Sequence, residues 1–149
     1  MAVQIVSGDL FASKAQTLVN AVNCVGVMGK GIALEFKTRF PEMFVDYAGR
    51  CKAGEVEPGK PYLFRCPDTS WILNFPTKRH WRDSSRLEDI EAGLTFLITN
   101  YREWGITSLA VPALGCGNGQ LDWQEVGSLL TERLNCLDIA VELYAPQEI

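Results

Sequence analysis

The chain has 149 residues, of which 47% are hydrophobic and 21% are charged, and its formal net charge is −4. This length and balance are typical of one globular domain and exclude a disordered chain. No run of about 18 apolar residues occurs, which excludes a membrane-spanning helix. No basic leader precedes an apolar run, so we expect no signal peptide. The acidic average gives no indication of a nucleic-acid partner.

The five cysteines are scattered singly, without a C-x-x-C pair, and the chain contains one histidine. An odd number of cysteines without framework spacing favours reduced thiols in a cytoplasm over a disulfide scaffold or a zinc site. A single histidine makes a histidine-based metal site unexpected. We therefore expect a cytoplasmic protein that holds neither a metal ion nor a cofactor.

The first part of the chain predicts two strands followed by two helices. A short strand is expected over Val3–Val6, and the apolar run TLVNAVN (17–23) is typical of a strand buried on both faces of a sheet. Apolar positions over 31–40 fit a helix that ends at a proline, and a second helix is expected over 41–51.

The middle of the chain predicts two strands and then the clearest helix. The runs PYLFRC (61–66) and SWILNFP (70–76) are strand-like and are separated by turn residues. In the helix that follows, Ser85 is the predicted N-cap, with Glu88 as its partner in a capping box. Gly105 stands where a C-terminal glycine belongs.

The last third completes the alternation of strands and helices. A strand is predicted in TSLAVPAL (107–114), a helix over 123–134 and a final strand in DIAVELYAP (138–146). Strands that alternate with helices, without repeats or a linker, predict a single three-layer α/β domain over residues 1–149.

Glycine is concentrated after two of the predicted strands. Three glycines follow the second strand and three follow the fifth: Gly26, Gly29, Gly31, Gly115, Gly117 and Gly119. In open α/β sheets, ligands bind at the carboxyl ends of the strands, where glycine lets backbone N–H groups approach an anion. Two such loops suit a diphosphate, although tight turns are an alternative. Neither loop has the Walker or the Rossmann glycine pattern, so we do not expect an NTPase or a dehydrogenase.

Three stretches in order carry a resemblance to a known family. GDL after the first strand, LVNAVN continuing into GVMGKGIA, and VPALGCGNGQLDW resemble the macrodomain, an ADP-ribose-binding module. The versions NCVGVMGKGIALEFK and GCGNGQLDW are most similar to the DarG-type DNA ADP-ribosyl glycohydrolases. These are related to the human terminal ADP-ribose glycohydrolase and are antitoxins to DarT-type DNA ADP-ribosyltransferases. The resemblance implies a three-layer αβα macrodomain with a central mixed sheet, and DarG-type proteins often continue beyond this domain.

The resemblance also implies binding roles. Asp9 matches the acidic residue that accepts the adenine amino group, and a carboxylate suits that task because it only accepts hydrogen bonds; a turn-forming role is the alternative. Asn23 matches the asparagine beside the distal ribose, whereas Asn20 is assigned to the interior of the loop. Cys24 and Cys116 are interpreted as small apolar fillers rather than nucleophiles. The residues expected to bind ADP-ribose are Asp9, Leu10, Asn23, Val27, Met28, Gly29, Gly31, Ile32, Leu114, Gly115, Cys116, Gly117, Asn118 and Gly119.

Lys78 is the predicted catalytic residue, because the human-type enzymes use a lysine in a similar TK context after a strand. The implied chemistry is attack on C1 of the distal ribose and a Schiff-base intermediate that water resolves. The amine must be neutral for this step. We expect Arg79 and Arg82, together with partial burial, to lower its pKa. A solvated surface lysine is the alternative.

This sequence differs from the human-type enzymes at the position of their catalytic aspartate, where it has Gly119. Asp122 lies three residues further on and is interpreted as a helix N-cap. A mechanism led by Lys78 without that acid is therefore expected. His80 has two interpretations, proton transfer or contact with a DNA phosphate.

Basic and aromatic side chains follow Lys78 in the stretch KRHWRDSSR. Such a mixture suits a short single strand, with phosphates on the cations and a base on the ring, whereas a solvated helix-entry segment is the alternative. The candidate DNA contacts are Arg79, His80, Trp81 and Arg82.

Three functions follow from these predictions. The first is an enzyme that removes ADP-ribose from a nucleobase in single-stranded DNA, with ADP-ribose, the modified DNA and a DarT-type toxin as partners. The second is a non-catalytic ADP-ribose-binding module. The third is a deacylase acting on ADP-ribosylated protein carboxylates or on O-acetyl-ADP-ribose. Lys78 and the basic segment favour the first, and we expect a monomer without membrane attachment.

Overall fold

The structure is a computed structural model that describes residues 3–146. Its strands are β1 (Val3–Val6), β2 (Thr17–Val22), β3 (Tyr62–Phe64), β4 (Trp71–Pro76), β5 (Ser108–Val111) and β6 (Ala140–Tyr144). They form one sheet in the order β1-β6-β5-β2-β4-β3. The pairings are parallel except that β3 runs antiparallel to β4, so the predicted mixed sheet is confirmed.

Within residues 3–146, four helices cover the two faces of the sheet. They are α1 (Gly31–Arg39), α2 (Pro41–Lys52), α3 (Leu87–Trp104) and α4 (Trp123–Leu134), and a short 3-10 helix spans Leu10–Ala12. The apolar side chains of α1 and α2 pack with Leu18 and Ile72 on one face. Those of α3 and α4 pack with Val19 and Leu73 on the other. Because neighbouring strand residues point to opposite faces, the sheet carries two cores, and the three-layer αβα prediction is confirmed.

Strand β2 lies at the centre of the sheet, between β5 and β4. Its first four residues and Val22 are buried, as the continuous apolar run predicted. Leu18 pairs with Ala110 of β5 on one side and with Ile72 of β4 on the other. The carboxyl ends of three parallel strands therefore lie side by side, and the loops that leave them meet at one edge of the sheet.

The start of α3 differs from the prediction. The helix begins at Leu87, and Arg86 occupies the N-cap position without a side-chain hydrogen bond. The amide of Ser85 donates instead to the carbonyl oxygen of Gly119 at 2.9 Å. The capping box with Glu88 is therefore wrong, because a contact with a distant loop holds Ser85 outside the helix.

The C-terminal end of α3 is as predicted, since Gly105 forms its cap with a φ of 83°. This left-handed conformation is one that glycine adopts without a steric cost. Within the described part of the chain, none of the helices is long and apolar enough to cross a membrane.

Candidate active site

A large cavity opens at the carboxyl ends of β2, β4 and β5. Two walls come from the loop after β2 (residues 23–30, the first glycine loop) and from the loop after β5 (residues 112–121, the second glycine loop). The cavity volume is about 1270 Å³. Most small-molecule sites enclose about 300–1,000 Å³, so this cavity has room for a ligand larger than a single nucleotide.

Most of the predicted site residues line this cavity. They are Asp9, Leu10, Asn23, Val27, Gly29, Gly31, Ile32, Lys78, Trp81, Gly115, Cys116, Gly117, Asn118 and Gly119. Met28 and Leu114 do not line it, because each is 1% exposed and its side chain lies in the core beneath a glycine loop. The sequence interpretation omitted several further lining residues, among them Phe11, Lys30, Thr77 and Tyr144.

The side chain of Asn23 holds the first glycine loop in shape. Its Nδ2 donates to the carbonyl oxygen of Val27 at 2.7 Å, and its Oδ1 accepts from the amide of Val25 at 3.0 Å. The hydroxyl of Tyr47, on α2, donates to the same Oδ1 at 2.7 Å. The residue matched to the distal ribose therefore also organises the loop around that position.

Asn20 lies inside the protein, in agreement with its interpretation as an internal residue. It is fully buried, and its Nδ2 donates to Oδ1 of Asn74 at 3.1 Å and lies 3.9 Å from the sulfur of Met28. The side chain of Met28, a residue of the first glycine loop, thus contacts Asn20 in the core. This contact holds the loop in addition to the hydrogen bonds made by Asn23.

The second glycine loop is too tightly packed to carry side chains at two of its glycines. A Cβ at Gly119 would lie 2.5 Å from the carbonyl oxygen of Gly115 and would collide with Oγ of Ser85. A Cβ at Gly115, where φ is 76°, would lie 2.8 Å from the Leu121 side chain. An aspartate at position 119, where the resemblance places the human-type acid, would therefore collide with this backbone.

The start of α1 and the second glycine loop lie close together at one end of the cavity. A Cβ at Gly31, where φ is 63°, would lie 2.8 Å from Nδ2 of Asn118. Gly31 opens α1, so the N-terminal N–H groups of this helix lie beside the same contact. Exposed amides at a helix start favour an anion, and this end of the cavity suits a diphosphate.

Asp9 lies at the end of β1, where it caps the short 3-10 helix. Its Oδ1 accepts from the amide of Phe11 at 3.0 Å. The side chain is exposed and lines the cavity. The turn-forming role and the predicted base-binding role are therefore compatible, because a carboxylate has two oxygen atoms and several acceptor positions.

Lys78 lies at the carboxyl end of β4 and reaches the cavity. The amides of Thr77 and Lys78 both donate to the carbonyl oxygen of Val22, at 2.8 and 3.4 Å, which extends the contact between β2 and β4. The Lys78 amine lies 3.4 Å from the carbonyl oxygen of Trp81. The backbone of Lys78 is thus held by the end of β2, and its side chain by the turn that follows Lys78.

The pKa of the Lys78 amine is lowered, first by partial burial and then by the positive charge of Lys30, whereas Asp83 opposes the shift. The predicted effect of burial is confirmed. The predicted contribution of Arg79 and Arg82 is wrong, since the like charge comes from Lys30 in the first glycine loop. A lowered pKa increases the neutral fraction of the amine, which is the nucleophilic form.

Arg79 is directed away from the cavity. Its guanidinium donates to both carboxylate oxygens of Asp89 on α3, at 3.1 and 3.2 Å. The Asp89 side chain is only 8% exposed, whereas that of Arg79 is 48% exposed. This two-point contact fixes the segment after Lys78 against α3.

The other candidate DNA contacts form a cluster at the mouth of the cavity. Trp81 is 42% exposed and lines the cavity. The Arg82 guanidinium lies 4.7 Å from the Trp81 ring centre, and the His80 ring centre lies 5.3 Å from it. Nδ1 of His80 accepts from the amide of Arg82 at 3.1 Å, so this ring atom is already engaged in the turn.

The two cysteines of the glycine loops are poor nucleophiles. Burial raises the pKa of the Cys24 thiol, and likewise that of Cys116, to about 11. At neutral pH both are protonated, and the thiol is the unreactive form. Among residues 3–146, no group of three or more histidine, cysteine or acidic side chains is arranged to hold a metal ion.

The fold and the paired glycine loops define a ligand-binding α/β domain, and a family comparison gives its class. The Macro domain family model matches residues 19–130, and the chain therefore belongs to the macrodomain family. A solved macrodomain of Mycobacterium tuberculosis DarG is 50% identical, with a TM-score of 0.93 over 97% of this chain and 98% of that one. The fold and the DarG resemblance predicted from the sequence are thus confirmed.

Two longer relatives carry further information. The DNA ADP-ribosyl glycohydrolase of Mycobacterium tuberculosis is 51% identical over 94% of this chain and 41% of its own length. The structure of Thermosipho africanus DarTG in complex with ADP-ribose is 45% identical, with a TM-score of 0.95 over 99% of this chain and 43% of that one. The chain therefore spans about two-fifths of the length of the curated relatives it matches.

Proposed function

We propose that this macrodomain is a glycohydrolase that removes ADP-ribose from a nucleobase in single-stranded DNA. One observation carries the proposal: the amine of Lys78, with its lowered pKa, lies in the same cavity as the two preformed glycine loops. A module that only binds ADP-ribose does not require such an amine. The reaction is also the one for which the 51% identical relative is named.

We assign the ends of the cavity from the chemistry of the ligand. Asp9 and the backbone of Leu10 bind the adenine, because a carboxylate accepts from its amino group. The N–H groups of both glycine loops and of the start of α1 bind the diphosphate. The distal ribose then lies beside Asn23 and Lys78. The remaining residues of the predicted binding set keep that role as part of this proposal, with Met28 and Leu114 supporting the loops from beneath.

Lys78 acts as the nucleophile in this proposal. Its neutral amine bonds to C1 of the distal ribose while the bond from C1 to the base nitrogen breaks, and the base leaves with a proton. The ring opens to a Schiff base, water adds to its carbon, and the amine is released together with ADP-ribose. The second glycine loop (112–121) contains no aspartate or glutamate, so no acid from this loop takes part.

The DNA strand leaves the cavity past Trp81 and Arg82. An exposed indole provides a surface on which a base stacks, and a nearby guanidinium attracts phosphate. We assign Arg79 to holding the loop, because Asp89 occupies its guanidinium. His80 supports the turn and lies at the edge of this path. The cavity volume of about 1270 Å³ leaves room for a nucleotide attached to ADP-ribose.

The biological setting belongs to the same proposal. We infer a DarT-type toxin as the cognate partner, because a Thermosipho africanus relative is a fusion of a DNA ADP-ribosyl transferase and a DNA ADP-ribosyl glycohydrolase. The five cysteines form no disulfide, which supports a cytoplasmic location. We propose that residues 1–149 form one macrodomain and that it acts as a monomer.

The experiment that tests the function compares substrates. Single-stranded DNA modified with ADP-ribose on a base, and a protein modified on carboxylates, are incubated with the wild-type chain, and the ADP-ribose released is measured. We expect release from the DNA and restoration of the unmodified base. Binding of ADP-ribose by calorimetry without release from either substrate would instead identify a binding module, and release from the protein alone would identify a deacylase.

A further inference from the structure

Among the described residues, Tyr47 is the buried polar side chain through which α2 bonds to the first glycine loop. Tyr47 is fully buried. Its hydroxyl lies 2.8 Å from the carbonyl oxygen of Asn23 and 2.7 Å from Oδ1 of the same residue. One phenolic proton therefore joins α2 to both the backbone and the side chain of Asn23.

The oxygen of the Asn23 side chain is saturated by these contacts. Besides Tyr47, the amides of Val25 and Val27 donate to Oδ1, at 3.0 and 3.4 Å. The nitrogen, Nδ2, donates one hydrogen to the carbonyl oxygen of Val27 at 2.7 Å. An amide nitrogen carries two hydrogens, so one N–H of Asn23, a residue that lines the cavity, is left to donate to an acceptor atom such as a ribose hydroxyl oxygen.

We propose that Tyr47 is a positioning residue whose hydroxyl fixes Asn23, and through Asn23 the first glycine loop, in the conformation that binds the distal part of ADP-ribose. The inference rests on the proposed function, because it requires that the cavity bind ADP-ribose. Burial also raises the pKa of the Tyr47 hydroxyl, which keeps it protonated and able to donate. Without this donor, both oxygen atoms of Asn23 lose a partner, and the amide is held only by its hydrogen bonds to Val25 and Val27 within the loop.

The test is calorimetric titration of ADP-ribose into the wild-type chain, Tyr47→Phe and Tyr101→Phe. Tyr101 is a matched control, since it is 4% exposed, lies on α3 and does not line the cavity, and its hydroxyl accepts from the amide of Asp138 at 3.2 Å. We expect Tyr47→Phe to bind ADP-ribose about tenfold more weakly, and Tyr101→Phe to bind as the wild type does.

A second readout separates positioning from general stability. On the modified DNA, Tyr47→Phe should raise KM by about the same tenfold factor while kcat changes less, because the loop binds substrate and transition state alike. In a double-mutant cycle, Asn23→Ala should remove most of the effect of Tyr47→Phe on ADP-ribose affinity. Should Tyr47→Phe be too unstable at room temperature, all three chains are titrated in the cold with a stabilising osmolyte; about tenfold weaker binding by Tyr47→Phe than by Tyr101→Phe supports the inference, and equal binding overturns it.

The outcomes distinguish this inference from the function on which it rests. If the wild-type chain does not bind ADP-ribose, the proposed function fails and this inference fails with it. If the wild type binds and Tyr47→Phe binds equally well, the positioning role is overturned while the function stands. Equal weakening by Tyr47→Phe and Tyr101→Phe, or additive effects of Tyr47→Phe and Asn23→Ala, would also overturn it.

Discussion

Lys30 and Lys78 line one cavity although they come from different loops. Lys30 occupies the N-cap position of α1, and its side chain forms no capping hydrogen bond. Its charge is the second cause, after burial, of the lowered pKa of Lys78. Because a positive charge on Lys78 is less favourable beside the charge of Lys30, a larger share of the Lys78 amine is neutral. Lys30, which the sequence alone left without a role, thus favours the neutral form of the Lys78 amine.

This arrangement predicts a pH effect. Since the neutral amine is the nucleophile in the proposed mechanism, the rate should rise as the pH rises through the pKa of Lys78. In Lys30→Ala that pKa should increase towards its ordinary value, so the rising limb of kcat/KM should move to higher pH and the rate at neutral pH should fall. The measurement is a pH profile of ADP-ribose release from modified DNA.

The control for this profile is Lys37→Ala. Lys37 is an exposed lysine of the same helix that lies over the Phe44 ring and does not line the cavity. Its profile should match that of the wild type. An unchanged profile in Lys30→Ala, or an equal shift in both variants, would mean that Lys30 does not tune the amine of Lys78.

At the scale of elements, the segment from Thr77 to Trp81 is held from two sides. The amides of Thr77 and Lys78 bond to Val22 at the end of β2, and Arg79 bonds to Asp89 on α3. Lys78 therefore stands between two anchors that belong to different layers of the fold. Its position depends on the packing of α3 against the sheet as much as on the strand that carries it.

We predict that Asp89→Ala loosens this segment. The loss of two charge-assisted hydrogen bonds from a buried carboxylate should lower the free energy of unfolding and move the unfolding midpoint to a lower urea concentration. The rate of ADP-ribose release should also fall. Urea denaturation and the release assay measure the two effects.

Glu91→Ala is the matched control on the same helix. Its carboxylate pairs with Arg133 at 3.0 Å, is 51% exposed and lies outside the cavity lining. Exposed ion pairs contribute about 0.2–1 kcal/mol, so this variant should unfold at nearly the wild-type urea concentration and keep its activity. Similar losses in both variants would contradict the anchoring role of Asp89.

Periodicity predicted the elements well and their tertiary contacts poorly. The apolar run of β2 and the glycine after α3 predicted the strand and the helix end correctly, because burial and a left-handed cap each select particular residues in the local sequence. Ser85 was assigned to a helix cap because its sequence neighbours fit one. The second glycine loop, more than thirty residues away, holds it outside the helix instead. No local pattern carries that information.

At the scale of the whole molecule, the site results from the order of the strands. β2 and β5 are far apart in sequence but adjacent in the sheet, and β4 flanks β2 on its other side. Both glycine loops and Lys78 therefore reach one cavity. The glycines and the lysine were predictable from composition and from the family resemblance. Two further features were not predictable from the sequence: the proximity of Lys30 to Lys78 and the hydrogen bond from Tyr47 to Asn23. Each joins elements that only the folded sheet brings together.

The nucleophilic role of Lys78 is tested most sharply by single-turnover release of ADP-ribose from modified single-stranded DNA by Lys78→Ala. The control is Lys60→Ala, an exposed lysine that pairs with Glu57 at 3.1 Å and does not line the cavity. We predict that Lys78→Ala lowers the rate constant about 100-fold or more while ADP-ribose still binds, and that Lys60→Ala acts as the wild type does. Release by Lys78→Ala at the wild-type rate would show that Lys78 is not the nucleophile.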